Sequence, residues 1–144
     1  NTDGTTIYYE QETGTDQVDA GGAITTVAAN ILSGDFDITQ KRSQQGQVIG
    51  MPDLRGDGEY IMKIRRFIPD FITQTGSTQV SLITRNFPND STTTTSFTIT
   101  TANDKIDTRV RARSIALKIA NTASAEDWKL GTFRLDIQPD GRRG

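Results

Sequence analysis

Arg109, Arg111 and Arg113 stand at every second position of the chain, and that spacing decides what they can do together. Alternate residues of a strand share one face, so the three guanidinium groups would sit about 6.5 to 7 Å apart and repel one another. They need acids, water or another chain opposite them. One reading is a solvated face with local partners such as Asp104, Asp107 or acids of an adjacent strand. A second is a seam between subunits, because arginine offers planar forks to carboxylates and loses less hydration than lysine. Nucleic acid is a third. Arg142 and Arg143, near the carboxy-terminal end of the sequence, join the same set of candidate interface residues.

The acids support less. Asp35 and Asp37, two apart, would face the same side of a strand and could hold a cation or act as an acid pair. Without a second convergent group they read as a surface or interface pair. Asp53, Asp57 and Glu59 could offer oxygens to calcium, yet Arg55 stands where an EF-hand loop needs a ligand, which leaves a solvated loop. Arg55-Gly-Asp57 matches the integrin-binding tripeptide by chance in a stretch crowded with Gly and Asp. Asn89-Asp-Ser91 is a glycosylation sequon that matters only on a eukaryotic secretory route.

The chain has no histidine and no cysteine. The commonest general base, the usual partner of a catalytic serine, the main nitrogen ligand for zinc and every thiol function are therefore missing. A carboxylate-based hydrolase using Asp35, Asp37, Asp53 or Glu59 is the weakest functional reading, because no base, nucleophile and oxyanion group share a recognisable spacing. No catalytic, metal-binding or cofactor-binding set is expected.

The elements that would carry these residues read as strands. Val110 and Ala112, then Ile115, Leu117 and Ile119, recur with period two, with one phase slip near Ser114. Tyr60, Met62 and Ile64 alternate ahead of Arg65-Arg66, and Pro69 marks a strand end. Gln79 to Asn86 places Val80 and Leu82 inward. Phe87-Pro-Asn-Asp90 and Ala102-Asn-Asp104 are turns, with a Thr-rich strand or loop between them. After Trp128, Phe133, Leu135 and Ile137 alternate with Arg134 and Asp136, and Pro139-Asp-Gly141 has the chemistry to stop that strand. Thr5 to Gln11 and Phe36 to Ile38 read as short strands, Ala23 to Leu32 as a strand or a short helix, and Gln40 to Gly58 as a long loop.

Only 33% of the residues are hydrophobic, and abundant threonine, which suits the pleat better than the helix, makes up the difference. A lean core of this kind suits a thin sandwich or a subunit completed by its neighbours. The expected fold is all-β, an antiparallel sandwich resembling a jelly roll, with residues 34–144 as the domain and residues 1–33 as an arm or the continuation of an upstream domain. Helix should be scarce, its best site being a turn at Ser124-Ala-Glu-Asp127 capped by Ser124. Ile64, Leu82, Leu117, Ile119, Trp128, Leu130, Phe133, Leu135 and Ile137 should form the core.

Charge is divided along the chain. Residues 1–60 hold ten acids against three bases, and residues 61–144 hold thirteen bases against eight acids, or −7 and +5. The two parts should attract, within one copy or between copies. A dedicated nucleic-acid binder would carry a clearer basic excess. No segment approaches the roughly 20 apolar residues of a membrane-spanning helix.

The order of an arginine-rich strand, an aliphatic strand, Trp128-Lys-Leu-Gly131, Arg134-Leu-Asp136 and Pro139-Asp-Gly-Arg-Arg143 resembles the carboxy-terminal region of tail proteins of short-tailed bacteriophages. The relevant class is the nozzle or hub proteins, also described as packaged-DNA stabilisation proteins. The resemblance is clearest over residues 109–143, and Gly34-Asp-Phe-Asp37, Arg65-Arg-Phe-Ile-Pro-Asp-Phe71 and Val80-Ser-Leu-Ile-Thr-Arg-Asn86 fit it as well. It implies a non-enzymatic structural component of a virion, assembled in the bacterial cytoplasm as a ring around the DNA exit channel. Its partners would be copies of itself and other tail or portal proteins, with passive contact to exiting DNA and no specific nucleic-acid binding. The opening Asn1-Thr-Asp-Gly4 reads as an interior cut in a longer polypeptide. The alternative is a receptor- or glycan-binding sandwich with Tyr8, Tyr9, Tyr60 or Phe87 at a sugar platform.

Overall fold

The computed structural model describes residues 16–18, 21–38 and 60–142. The expected strand at Thr5 to Gln11, the loop from Gln40 to Gly58 with its tripeptide and acids, and Arg143 lie outside the described residues. Every element found is a strand: β1 (Asp16–Val18), β2 (Ile24–Thr26), β3 (Asn30–Leu32), β4 (Tyr60–Ile68), β5 (Phe71–Thr75), β6 (Ser77–Arg85), β7 (Thr93–Thr100), β8 (Ile106–Ala112), β9 (Ser114–Ala120), β10 (Asp127–Leu130) and β11 (Arg134–Arg142). The protein is all-β, and every strand pair among the described residues is antiparallel.

Two sheets share one core. A three-stranded sheet has the order β11-β4-β8, and a four-stranded sheet has the order β3-β9-β6-β7. The alternating apolar residues of both meet in a single cluster: Met62, Ile64 and Phe67 from β4, Val80 and Leu82 from β6, Ile99 from β7, and Ile115, Leu117 and Ile119 from β9. This is a sandwich-like arrangement. Two balanced sheets of an eight-stranded jelly roll are not formed among the described residues, since one sheet has three strands and β5 pairs separately with β10. Although it lies before residue 34, β3 forms the outer strand next to β9, so this part of the amino-terminal segment is built into the sandwich.

The phase slip near Ser114 is the corner between the sheets. β8 ends at Ala112 against β4, and β9 begins at Ser114 against β6. One residue out of phase at Arg113 lets Ala112 and Ile115 both point into the core. Central strands β6 and β9 bury residues on both faces, which explains why Ser81 and Ala116 are covered as well. Ser81 is satisfied by a hydroxyl contact of 2.8 Å with Ser96 on β7.

A second corner depends on glycine. Gly131 donates its backbone N–H to the carbonyl of Asp70 at 2.9 Å, and a Cβ at this position would lie 2.7 Å from that same oxygen. This close approach seats β10 on β5, where Trp128 meets Phe71 edge-on at 6.4 Å. Gly131→Ala should therefore destabilise the fold by about 1 to 3 kcal/mol, through backbone displacement, in a chemical denaturation series.

Three expectations are corrected. Ser124 to Asp127 is not a helical turn: Ala125 adopts a left-handed φ of 61° and Asp127 already belongs to β10. Glu126 provides the reason. Its buried carboxylate accepts from the Ser77 hydroxyl, from the Thr122 and Ala123 backbone N–H groups and from the Thr122 hydroxyl, so the loop wraps around its own acid. Phe133 is 38% exposed because it precedes β11, although its ring stacks on Phe67 at 6.1 Å. Pro139-Asp-Gly141 does not end the last strand; β11 runs on to Arg142 across a register shift, with Gly141 at φ 101°. Of the other expected core residues, Ile64, Leu82, Leu117 and Ile119 are buried, while Trp128, Leu130, Leu135 and Ile137 pack half-buried against them.

Burial pushes the Glu126 carboxyl up, but the hydrogen bonds from Ser77, Thr122 and Ala123 outweigh it and hold the group below the ordinary glutamate value of 4.5. A carboxyl whose folded pKa is depressed contributes stability that is complete above its unfolded pKa and is lost as pH falls through the folded one. Glu126→Ala should cost about 1.5 to 3 kcal/mol near neutrality. The loss should shrink as the pH is lowered below that ordinary value, which thermal melts across an acid series would reveal.

Candidate assembly interface

The outer face of the three-stranded sheet is built by β4, β8 and β11, and the same alternation that sends Met62, Ile64, Thr108 and Ala112 inward sends the charged residues outward. β8 contributes Asp107, Arg109 and Arg111, all exposed. β4, the middle strand, contributes Lys63, Arg65 and Arg66, while β11 adds Arg134 and Asp136. A register shift between Ile64 and Arg66 puts the two adjacent arginines of β4 beside the groove while Phe67 still points inward. Between these strands lies a groove of about 520 Å³ lined by Lys63, Arg65, Arg66, Arg109, Asp107 and Asp136.

Pairing on this face is incomplete. The Nε of Arg66 donates to Asp107 at 2.7 Å, and Arg111 forms an ion pair with Asp140. The hydrogen bond and charge of Asp107 raise the pKa of Arg66, and the Arg66 hydrogen bond holds Asp107 low against the opposing effect of burial. Both groups remain open to solvent, so this pair orients side chains more than it stabilises the fold. Lys63 stands directly across from Arg111, a like-charge pairing that the sheet must offset. Among the described residues, Lys63, Arg65 and Arg109 have no ion-pair partner.

The expected row of three arginines is thus divided. Arg109 and Arg111 share the basic face. Arg113, at the corner between the sheets, instead packs its guanidinium 5.4 Å from the centroid of the Phe87 ring. Arg142 pairs through its backbone with Tyr60 at the far end of β11. Lys63, Arg65 and Arg66 were missing from the expected set, though the clean alternation from Tyr60 to Ile64 already placed Lys63 and Arg65 on the outward side.

Arg113 lines a different cavity, of about 350 Å³, at the end of the four-stranded sheet. Asp35 and Asp37, expected to share a face, both reach it, together with Arg85, Asn86 and Phe87. Asp35 is fully engaged. It pairs with Arg85 at 2.8 Å and accepts from the Ser114 hydroxyl at 3.1 Å. Phe87 is 47% exposed, whereas Tyr60 is buried and cannot serve as a sugar platform. No group of three or more acids capable of holding a metal ion is found among the described residues. A scan against protein-family models and a search of curated proteins gave no match to this chain.

Proposed function

We propose that this domain is a non-enzymatic structural component of a bacteriophage virion, a tail nozzle or hub element that assembles as a ring around the DNA exit channel. The observation that carries the reading is the outer face of β11-β4-β8, a broad sheet surface on which Lys63, Arg65 and Arg109 lack ion-pair partners among the described residues. Residues 1–60, at −7, provide the complementary charge on each copy. A chain with an acidic amino-terminal segment and a basic sheet face can make head-to-tail contacts, which close into a ring when the rotation allows. The resemblance of residues 109–143 to short-tailed phage tail proteins supplies the virion setting, with other tail or portal proteins as neighbours. Arg109 and Arg111 would make the seam with Lys63 and Arg65, and Arg142 and Arg143 would extend it.

The lack of histidine and cysteine and the use of Asp35 in an ion pair support a binding role over catalysis. Native mass spectrometry of the full chain at low ionic strength tests the reading. A single closed oligomer that loosens as salt rises agrees with a charged seam, and a monomer at every concentration and salt would reject it.

A further inference from the structure

We infer that the cavity at the end of the four-stranded sheet is a saccharide-binding site, with Asp37, Arg113 and Phe87 as its recognition groups. The inference does not rest on the assembly reading, because the cavity lies away from the basic sheet face. Four elements meet here: the segment from Gly34 to Ile38, the end of β6, the turn from Asn86 to Asp90 and the start of β9. Phe36 exchanges both backbone hydrogen bonds with Ile115, at 2.9 and 3.0 Å, which fixes the aspartates on either side of it.

The turn presents Phe87 rigidly. Its carbonyl accepts from the Asp90 N–H at 3.0 Å, its own N–H donates to the Asp90 carboxylate at 3.1 Å, and Arg85 donates to the neighbouring Pro88 carbonyl at 3.3 Å. A phenyl ring held in a closed turn yet 47% exposed loses little freedom when another apolar surface covers it.

The charges complete the site. Asp35 and Arg85 satisfy each other, whereas Arg113 and Asp37 do not: the Arg113 guanidinium rests on Phe87 with no ion pair to any described residue, and Asp37 likewise has none. An unpaired cation and an unpaired carboxylate that line one cavity without meeting leave space for a ligand that both donates and accepts. Vicinal hydroxyls of a pyranose do both, donating to Asp37 and accepting from Arg113, and the C–H face of the ring suits the exposed side of Phe87. The cavity, about 350 Å³, falls within the range of small-ligand sites, and its lining sets the Phe87 ring and Pro88 among polar and charged side chains, as a hydroxyl-rich ligand requires.

The test is a titration of the isotope-labelled full chain with methyl glycosides of glucose, galactose and mannose and with glucuronate, followed by amide and arginine Nε–H resonances. At least one sugar should give saturable shifts confined to Asp37, Asn86, Phe87 and Arg113, with a dissociation constant of about 1 to 10 mM, as expected for so small a ligand. Phe87→Ala and Asp37→Asn should each weaken binding about tenfold or more without lowering the melting temperature, and Arg109→Ala should leave it unchanged. The inference is overturned if no sugar gives saturable shifts by about 50 mM, or if the shifts survive both substitutions. It is equally overturned if Asp37→Asn and Arg113→Gln destabilise the fold in a protein that binds none of the sugars, since the two charges would then serve the structure alone.

Discussion

Leu117→Ala is expected to lower the unfolding free energy by about 2 to 5 kcal/mol, because it removes a side chain from the point where β9 presses into the shared core and leaves a cavity there. Leu117 is only 4% exposed, lies across from Leu82 of β6 and belongs to the single cluster that joins both sheets. Phe133→Ala should behave differently despite the larger side chain. Phe133 is 38% exposed and contributes mainly through its stack on Phe67, so a loss of about 0.5 to 1.5 kcal/mol is expected. Urea denaturation of both variants measures the contrast, and an unchanged midpoint for Leu117→Ala would contradict the proposed core.

Replacing Arg109 and Arg111 together by alanine should weaken assembly by about 2 to 5 kcal/mol while the isolated domain melts nearly as before. Both side chains are exposed on the single chain, so their removal opens no cavity. Arg111 would surrender its pair with Asp140, an exposed contact of small consequence for the fold. Arg113 belongs in the control arm. Its guanidinium rests on Phe87 with a buried Nε, so Arg113→Ala should alter the end of the sandwich and leave the seam intact.

Period-two alternation made β4, β8 and β9 readable in the sequence because each has one face against the core, and the inward positions Ile64, Ala112 and Leu117 carry that signal directly. Even the corner at Arg113 appears as a break in phase. What alternation does not encode is the partner of each strand. That β4 lies between β8 and β11, which brings Lys63 and Arg65 beside Arg109, follows from contacts between distant segments. The cavity around Arg113 was illegible for the same reason, since Asp35 reaches Arg85 and Ser114 across sequence separations of 50 and 79. Local propensity misled at Ser124 to Asp127, where a capped helical turn lost to a loop closed around Glu126 by backbone donors. Phe133 misled as well, because its alternation with Leu135 and Ile137 ignores both the start of β11 at Arg134 and the register shift after Asp136.

If the basic face of β4, β8 and β11 joins copies of this chain, removing its arginines should separate them. The mass distributions of this chain and of its Arg109→Ala, Arg111→Ala double variant, taken side by side at low salt with melting curves on the same samples, measure that joining. A closed oligomer of uniform size is expected for the first, a shift toward monomer for the second and closely similar melting of the separated subunits. Identical mass distributions for the two proteins would show that this face does not join them.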